Sequence, residues 1–156
     1  MLEVKPPQAH RDYEGAVLFL AGSIEMGSAE PWQAEIVKSL HHLEQLTILN
    51  PRRDDWDSSW QQTIDNPQFR EQVGWELAGL ERATTIGFYF SPGTKSPITL
   101  LELGLFARSG KCLVCCPNGF WRKGNVEIVC DRYDVEMVST FSLFESRLMQ
   151  LVAKCP

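Results

Sequence analysis

Residues 96–107 have the sequence Ser-Pro-Ile-Thr-Leu-Leu-Glu-Leu-Gly-Leu-Phe-Ala, which predicts a buried helix. Ser96 suits the N-cap, where its hydroxyl can accept a hydrogen bond from an unpaired amide, and Pro97 suits the first helical position. Glu102 falls on an apolar stripe with Ile98 and Leu105, in a helix that is apolar nearly all round. Because desolvating a carboxylate is costly, Glu102 is expected to be paired, half-exposed or functional.

Short apolar runs alternate with segments of helical periodicity along the rest of the chain. The pattern predicts five strands, at 16–21, 46–49, 85–90, 111–116 and 126–130. Helices are predicted at 31–44, from 66–67 to about 80, from 96, and at 141–152. This alternation predicts an α/β fold with a flavodoxin- or Rossmann-like parallel sheet covered by helices on both faces. The polar composition of residues 1–15 predicts a flexible arm. Residues 16–156 are then expected to form a single α/β domain.

Composition excludes several classes of function. The 156 residues carry a formal net charge of −5 and no basic stripe, which argues against a nucleic-acid polymer as partner. No apolar run reaches membrane-spanning length and no signal-peptide pattern is present, which predicts a cytoplasmic location away from membranes. Three of the five cysteines fall in the strand-like run 111–116. Without a second Cys/His pair at zinc spacing, they are expected to be buried free thiols, and no metal or cofactor is expected.

Three loops should form the ligand site of such a sheet. Ligands of parallel sheets bind outside the carboxyl ends of the strands, where the strand order reverses. The loops at 22–30, 50–60 and 91–97 should meet there. The charged loop at 52–60 leaves three interpretations open: a solvated loop, a substrate-binding loop in which Trp56 stacks on a flat ring, or a carboxylate site for Mg²⁺. Residues 120–123 form a connection whose aromatic residues could instead serve as an oligomer contact or a pocket lid.

A second carboxylate, like that of Glu102, is predicted on the apolar side of a helix. Glu76 is predicted on the buried stripe of the helix that begins at Pro67. Two carboxylates in a dry cleft are the usual arrangement for cleaving a glycosidic bond, one as nucleophile and one as acid. At ~1.5 Å per residue, Glu76 lies roughly 14 Å from the start of its helix. The helix must therefore overhang the sheet if Glu76 is to reach the cleft.

Three motifs occur in order: Phe19-Leu-Ala-Gly22-Ser-Ile, Trp75-Glu76-Leu-Ala-Gly-Leu80 and Ser96-Pro-Ile-Thr-Leu-Leu-Glu102-Leu-Gly104. Together they resemble the nucleoside 2-deoxyribosyltransferase superfamily over roughly residues 16–130. The resemblance implies that Glu102 attacks the anomeric carbon of a deoxyribose. It also implies that Glu76, where the family usually has Asp, assists the departing base. The implied ligands are a small nucleoside or nucleotide and a free base, and the implied assembly is a homo-oligomer, such as a homodimer, whose neighbours complete each site.

The sequence is compatible with two classes of substrate, nucleosides and nucleoside 5′-monophosphates. Deoxyribosyltransferases commonly have Tyr where this chain has Leu18, and tend to have Asp where it has Ser96. The related nucleoside 5′-monophosphate N-glycosidases have a Ser there that helps to hold the phosphate, and a Gly-Ser-Ile turn like residues 22–24. Hydrolysis of a nucleotide is therefore an alternative to base transfer. A non-catalytic nucleotide-binding module and a flavodoxin-like electron carrier are more distant alternatives.

The residues expected to contact substrate come from the loops at the carboxyl edge and from the segment after 116. They are Gly22, Ser23, Glu25, Asp55, Trp56, Ser96, Trp121 and Asn125.

Overall fold

The computed structural model of the chain describes residues 1–24, 30–57 and 59–154. These residues form an α/β fold with a six-stranded parallel sheet, which confirms the predicted fold class with one strand more than expected. The strands are β1 (Leu2–Val4), β2 (Ala16–Gly22), β3 (Leu46–Leu49), β4 (Thr85–Tyr89), β5 (Cys112–Cys115) and β6 (Glu136–Val138). The helices are α1 (Trp32–Leu40), α2 (Pro67–Arg82), α3 (Pro97–Phe106), α4 (Lys123–Arg132) and α5 (Phe141–Val152), with a short 3₁₀ turn at Ala107–Ser109. Within the described ranges, no helix is long and apolar enough to span a membrane.

The strand order β1-β3-β2-β4-β5-β6 places the winding reversal between β2 and β4. The chain passes from β2 to β3 on one side and then crosses back to β4 on the other. Gly22 and Tyr89, the last residues of β2 and β4, are paired in register. The loops that follow these two strands therefore start side by side, at the position where parallel sheets bind ligands.

Side chains alternate along β2 between two apolar layers. Leu18 and Leu20 face α1 and α5, whereas Phe19 and Ala21 face the layer that includes α2, α3 and α4. Because both faces are covered, β2 reads in the sequence as a continuous apolar run rather than an alternating one.

The last strand differs from the prediction. Residues 126–130 belong to α4, and the final strand is β6, which pairs in parallel with β5. Val126 and Cys130 are buried four positions apart, which is the spacing of one helix face. The β-branched residues around them favoured a strand in the sequence, and packing of the helix on the sheet overrides that preference.

The N-terminal segment also differs from the prediction. Leu2–Val4 forms the edge strand β1, paired with β3, where a flexible arm was expected for 1–15. Further along, the His10 ring stacks on Trp75 at 4.5 Å, and the Trp75 indole N–H donates to the Gln8 carbonyl at 2.7 Å. These contacts join distant parts of the chain, which is why the local sequence does not indicate them.

Helix α3 is buried on one side only. Ile98, Leu101 and Leu105 are 58%, 60% and 60% exposed, although the helix was expected to be buried all round. The sheet covers the inner side, where Glu102 and Leu103 lie, and no described element covers the outer side. Glu102 thus lies on the sheet-facing side and not in the stripe of Ile98 and Leu105.

Candidate active site

The central feature of the site is a pair of buried carboxylates on consecutive helices. Glu102 on α3 is 8% exposed, and burial raises its pKa to about 8. Burial likewise raises the pKa of Glu76 on α2 to about 7, although the residue as a whole is partly exposed. The negative charge of Glu76 also contributes to the raised pKa of Glu102, so the two groups lie close enough to interact. Near neutral pH such a pair retains a proton, which provides an acid and a carboxylate in one cleft.

Helix α2 overhangs the sheet as the geometry of Glu76 requires. The side-chain oxygen of Asn66 accepts from the Phe69 amide at 3.0 Å, and Pro67 occupies the first turn, which fixes the start of the helix. The Gln72 side-chain amide then donates to the carbonyl of Pro51, just beyond the end of β3, at 3.0 Å. The turns before Gln72 therefore project past the strand ends, and Glu76 lies one turn further on, at the carboxyl edge.

A cluster of hydroxyl groups joins the two loops at the winding reversal. The Ser23 oxygen lies 2.6 Å from that of Ser96 and 2.9 Å from that of Thr94. The Thr94 and Ser96 oxygens are also 2.9 Å apart. Ser23 and Ser96 are 1% and 5% exposed, so this is a buried polar cluster at the N-terminus of α3.

Ser96 does not act as the N-cap that the sequence predicts. Its φ is +46°, in the left-handed region that is uncommon for residues other than glycine, and its side chain makes no capping hydrogen bond. Ser23 and Thr94 bind its hydroxyl instead. In the part of the chain that the structure describes, the hydroxyls of Ser23 and Ser96 do not bond to Glu102.

Gly22 is required by a close approach of the backbone. A Cβ atom at this position would lie 2.6 Å from the Tyr89 carbonyl oxygen and 2.6 Å from the ring of Trp32. The Ser23 amide donates to the same Tyr89 carbonyl at 3.0 Å, and the Trp32 indole N–H donates to the Ser23 carbonyl at 3.1 Å. Gly22 thus positions Ser23, and its contacts here are with protein groups.

The loop at 50–57 is attached to α2 by ionic and ring contacts. The Arg53 side chain, 6% exposed, pairs with Asp55 at 2.6 Å and with Glu71 on α2 at 3.3 Å. Its guanidinium also lies 5.1 Å from the centre of the Trp60 ring. This arrangement positions Asp55 at the surface as the partner of Arg53, whose hydrogen bond lowers the pKa of that carboxyl.

The acidic residues of this loop have separate partners. Asp54 pairs with Lys5 at 2.8 Å, and Asp57 accepts from the Ser59 amide at 2.9 Å. Among the described residues, no group of three His, Cys, Asp or Glu side chains is arranged to hold a metal ion. The Trp56 ring contacts Trp60 edge to face at 5.2 Å, and its indole nitrogen is buried without a hydrogen-bond partner. Stacking of Trp56 on a substrate stays a prediction.

Trp121 and Asn125 lie on the α4 side of the site. Trp121 is 51% exposed, and its indole N–H donates to the carbonyl of Lys95, which precedes Ser96, at 3.0 Å. Asn125 is exposed in the first turn of α4. Phe120 is only 4% exposed and packs on Phe90, so its ring is not available for the oligomer contact or pocket lid that the sequence suggested for this segment.

Two further predictions concern Glu25 and the cysteines. Glu25 lies outside the described residues. Cys112, Cys115, Cys116 and Cys130 are free thiols, and burial raises the pKa of Cys115 to about 12. Cys112 is half-buried and the other three are buried, and burial raises the pKa of all four thiols, which disfavours the nucleophilic thiolate.

Two residues of the site, Gln72 and Thr94, were not predicted from the sequence. Gln72 precedes Glu76 by four positions, a spacing that places both on one helix face, so helical periodicity could have indicated it. Thr94 enters the hydroxyl cluster only because β2 and β4 are neighbours, and no local pattern signals that contact.

Comparisons with known proteins agree with the fold and the order of motifs. Residues 15–120, more than half of the 156, match a family model described as nucleoside 2-deoxyribosyltransferase like. A crystal structure titled conserved protein from Enterococcus faecalis V583 is similar, with a TM-score of 0.63 over 90% of this chain and 98% of that chain. The two sequences are 9% identical, so this likeness shows the fold alone. No curated protein matches the sequence at a significant level.

Proposed function

This chain is a member of the nucleoside 2-deoxyribosyltransferase-like family, and we propose that it cleaves the N-glycosidic bond of deoxynucleosides and transfers the deoxyribosyl group to another base. The buried carboxylate pair of Glu76 and Glu102 is the observation that carries the proposal. One group of such a pair can be ionised while the other holds a proton, which is what displacement at a glycosidic carbon requires.

Glu102 is the nucleophile in the proposed reaction. One of its carboxylate oxygens forms a bond to C1′ of the sugar as the bond from C1′ to the base nitrogen breaks. The base leaves with the electron pair of that bond and takes the proton of Glu76. A second base then attacks C1′ and releases Glu102, while Glu76 recovers a proton from that base. In the free protein the pKa of Glu102, about 8, lies above that of Glu76, about 7, so the proton favours Glu102. The reaction therefore requires the positive charge that develops at C1′ to favour the anionic form of Glu102 and leave the proton on Glu76.

Hydrolysis of a nucleoside 5′-monophosphate is a second candidate, and the hydroxyl cluster favours it. Ser23, Thr94 and Ser96 place three hydroxyl groups at the N-terminus of α3, where backbone amides and the helix dipole attract anions. Glu102 lies six positions further on, roughly 9 Å along the helix at ~1.5 Å per residue. A sugar could span this separation with its phosphate at the cluster and its C1′ at the carboxylate. Water would then release the sugar from Glu102.

The test follows the base and the covalent intermediate. Incubation with deoxyadenosine or its 5′-monophosphate, with and without thymine, should release adenine and, in the transfer reaction, form thymidine. A slow 2-fluoro-substituted deoxynucleoside should leave a glycosyl adduct on the peptide that contains Glu102, detectable by mass spectrometry. Glu102→Gln keeps the shape of the side chain but cannot form the ester, so it should lose the adduct and several powers of ten in turnover. A folded Glu102→Gln protein with near-normal base release would refute the proposal.

A homodimer is the assembly that we propose, through the outer face of α3. Helix α3 connects β4 to β5 and so lies between α2 and α4 on its side of the sheet. Ile98, Leu101 and Leu105 form an exposed apolar stripe along it, without a charged residue on the stripe. A two-fold axis would place this stripe against its own copy without opposing like charges. The stripe lies on the helix that carries Glu102, so a neighbouring subunit there would be close to the site.

A further inference from the structure

Gln72 makes two hydrogen bonds and leaves one buried atom unpaired. The side-chain Nε2 donates to the Pro51 carbonyl at 3.0 Å and to Oε1 of Glu76 at 2.8 Å. Both partners are acceptors, so they fix which end of the amide is nitrogen, and both of its hydrogens are used. Oε1 of Gln72 is buried and has no hydrogen-bond partner, in a residue that is 4% exposed.

These contacts determine where the proton of Glu76 resides. Oε1 of Glu76 already accepts from Gln72, so the neutral carboxyl carries its proton on Oε2. The acid therefore carries its donor on the side chain that is hydrogen-bonded to Gln72, and the other end of the Gln72 amide carries the unpaired acceptor. A buried acceptor without a partner is costly, and helix packing alone would be served as well by an apolar side chain. An arriving group with a matching donor would remove that cost.

We propose that Gln72 is the residue that selects the leaving base, and that it favours purines with a 6-amino group. This inference rests on the proposed function. Adenine presents N7 as an acceptor next to a 6-amino donor, which complements the Glu76 donor and the Gln72 acceptor. Guanine and other 6-oxo purines present two acceptors along the same edge, so one of them would face Oε1 of Gln72. Two facing acceptors repel, and the 6-oxo base leaves Oε1 unpaired.

The recognition is coupled to the chemical step. As the bond from C1′ to N9 breaks, its electron pair moves into the purine, and N7 takes the proton from Oε2 of Glu76. Glu76 becomes a carboxylate, Glu102 becomes an ester of the sugar, and the neutral base leaves. Gln72 holds Glu76 through Oε1 and the 6-amino group through its own Oε1, so it aligns Oε2 with N7. It contacts the base, but it exchanges no proton and forms no covalent bond.

Gln72→Met tests the inference because it keeps the length of the side chain and removes both hydrogen-bonding ends. Gln33→Met is the matched control. Gln33 is a fully buried glutamine with two unpaired amide atoms, and it lies on α1, the helix on the opposite face of the sheet from α2. We expect the wild type and Gln33→Met to favour deoxyadenosine over deoxyinosine by about tenfold in kcat/KM. Gln72→Met should bring the two substrates to within about twofold, mainly by losing activity on deoxyadenosine.

The pH profile supplies a readout that a purely structural role would not move. The Gln72 hydrogen bond lowers the pKa of Glu76 against the larger effect of burial, and Glu102 on α3 is the titratable group that faces it. Loss of that hydrogen bond should shift the alkaline limb of activity to higher pH in Gln72→Met, because the acid then keeps its proton longer. An unchanged limb together with an unchanged ratio of the two substrates would overturn the inference.

Binding of free bases separates this inference from the proposed function. Titration calorimetry with adenine and with hypoxanthine, on a Glu102→Gln background, measures base recognition without turnover. Tighter binding of adenine that disappears in Glu102→Gln/Gln72→Met supports the role of Gln72, even if no base release is found. Equal affinity for the two bases in Glu102→Gln overturns it, even if the wild type cleaves nucleosides.

Discussion

The hydroxyl oxygens of Ser23 and Ser96 lie 2.6 Å apart, so the loop after β2 is bonded directly to the residue that precedes α3. The Ser91 amide donates to the same Ser23 oxygen at 3.0 Å, and Thr94 donates its hydroxyl proton to the Ser91 carbonyl at 2.8 Å. The left-handed backbone of Ser96 (φ +46°) is thus held by a network of buried hydrogen bonds. Uncommon backbone conformations of this kind concentrate at ligand-binding positions.

Ser96→Ala should distinguish nucleotides from nucleosides as substrates. If the cluster holds a 5′-phosphate, the loss of one hydroxyl should weaken monophosphates by about 1–2 kcal/mol, as for a hydrogen bond to a charged group. Nucleosides should be nearly unaffected. Steady-state kinetics on deoxyadenosine and its 5′-monophosphate measures the difference, with Ser146→Ala on α5 as the control. Equal losses on the two substrates would assign Ser96 a structural role.

The stability of the protein should fall as the pH rises from about 5 to about 8. Burial raises the pKa of Glu76 to about 7 and that of Glu102 to about 8, both above the ordinary value of 4.5. The folded protein therefore binds more protons than the unfolded chain in this range. The two carboxyl groups make their full contribution to the free energy of unfolding below pH 4.5. That contribution is lost as the pH rises through about 7 and about 8.

Urea unfolding at a series of pH values measures this dependence. Each group can contribute a slope of up to about 1.4 kcal/mol per pH unit, the free energy that corresponds to one pKa unit. Glu102→Gln should flatten the slope and be more stable than the wild type at pH near 8, because an amide is cheaper to bury than a carboxylate. Glu81→Gln, at an exposed position of α2, should keep the full slope. A wild-type stability that rises over this range would contradict the assignment of two buried acids.

The sequence predicts those elements whose signals are local. The buried strands β2 and β4 are continuous apolar runs, and the start of α2 is marked by Asn66 and Pro67. Residues 126–130 were assigned to a strand because a five-residue segment with four apolar residues fits a strand and a helix equally well. The edge strand β1 is three residues long and depends on its pairing with β3, so no local periodicity reveals it.

The site is predicted in part, for the same reason. Glu76 and Glu102 stand out because a carboxylate conflicts with the apolar face of a helix, and this conflict is visible in the sequence. The register that aligns Gly22 with Tyr89 is a tertiary feature, and the contacts of Ser23 with Thr94 and Ser96 follow from it. The exposure of Ile98 and Leu105 was missed because periodicity does not show which side of an apolar helix is covered.

Gly22→Ala should destabilise the protein by about 1–3 kcal/mol, the range for overpacking a tight site. The new methyl group would meet the Tyr89 carbonyl oxygen at 2.6 Å, and that oxygen belongs to the backbone of the neighbouring strand, where it cannot rotate away. Thermal unfolding measures the loss. Gly74→Ala is the control, because a Cβ there meets nothing within 4 Å and alanine favours the helix by up to about 1 kcal/mol. Similar effects of the two substitutions would show that the contact at Gly22 relaxes readily.

The outer face of α3 should hold two copies of the chain together. Light scattering of the wild type should give a mass of about twice 17.7 kDa, and Leu105→Lys should give a single chain. Leu105 is 60% exposed, so a lysine there should not disturb folding, and across a two-fold axis it would place two like charges in an apolar contact.

Leu143→Lys is the matched control, because Leu143 is 50% exposed on α5, which packs on the opposite face of the sheet. If the neighbour completes each site, turnover should fall with the dimer in Leu105→Lys and persist in Leu143→Lys. A wild type that scatters as a 17.7 kDa particle at working concentration would rule out the dimer.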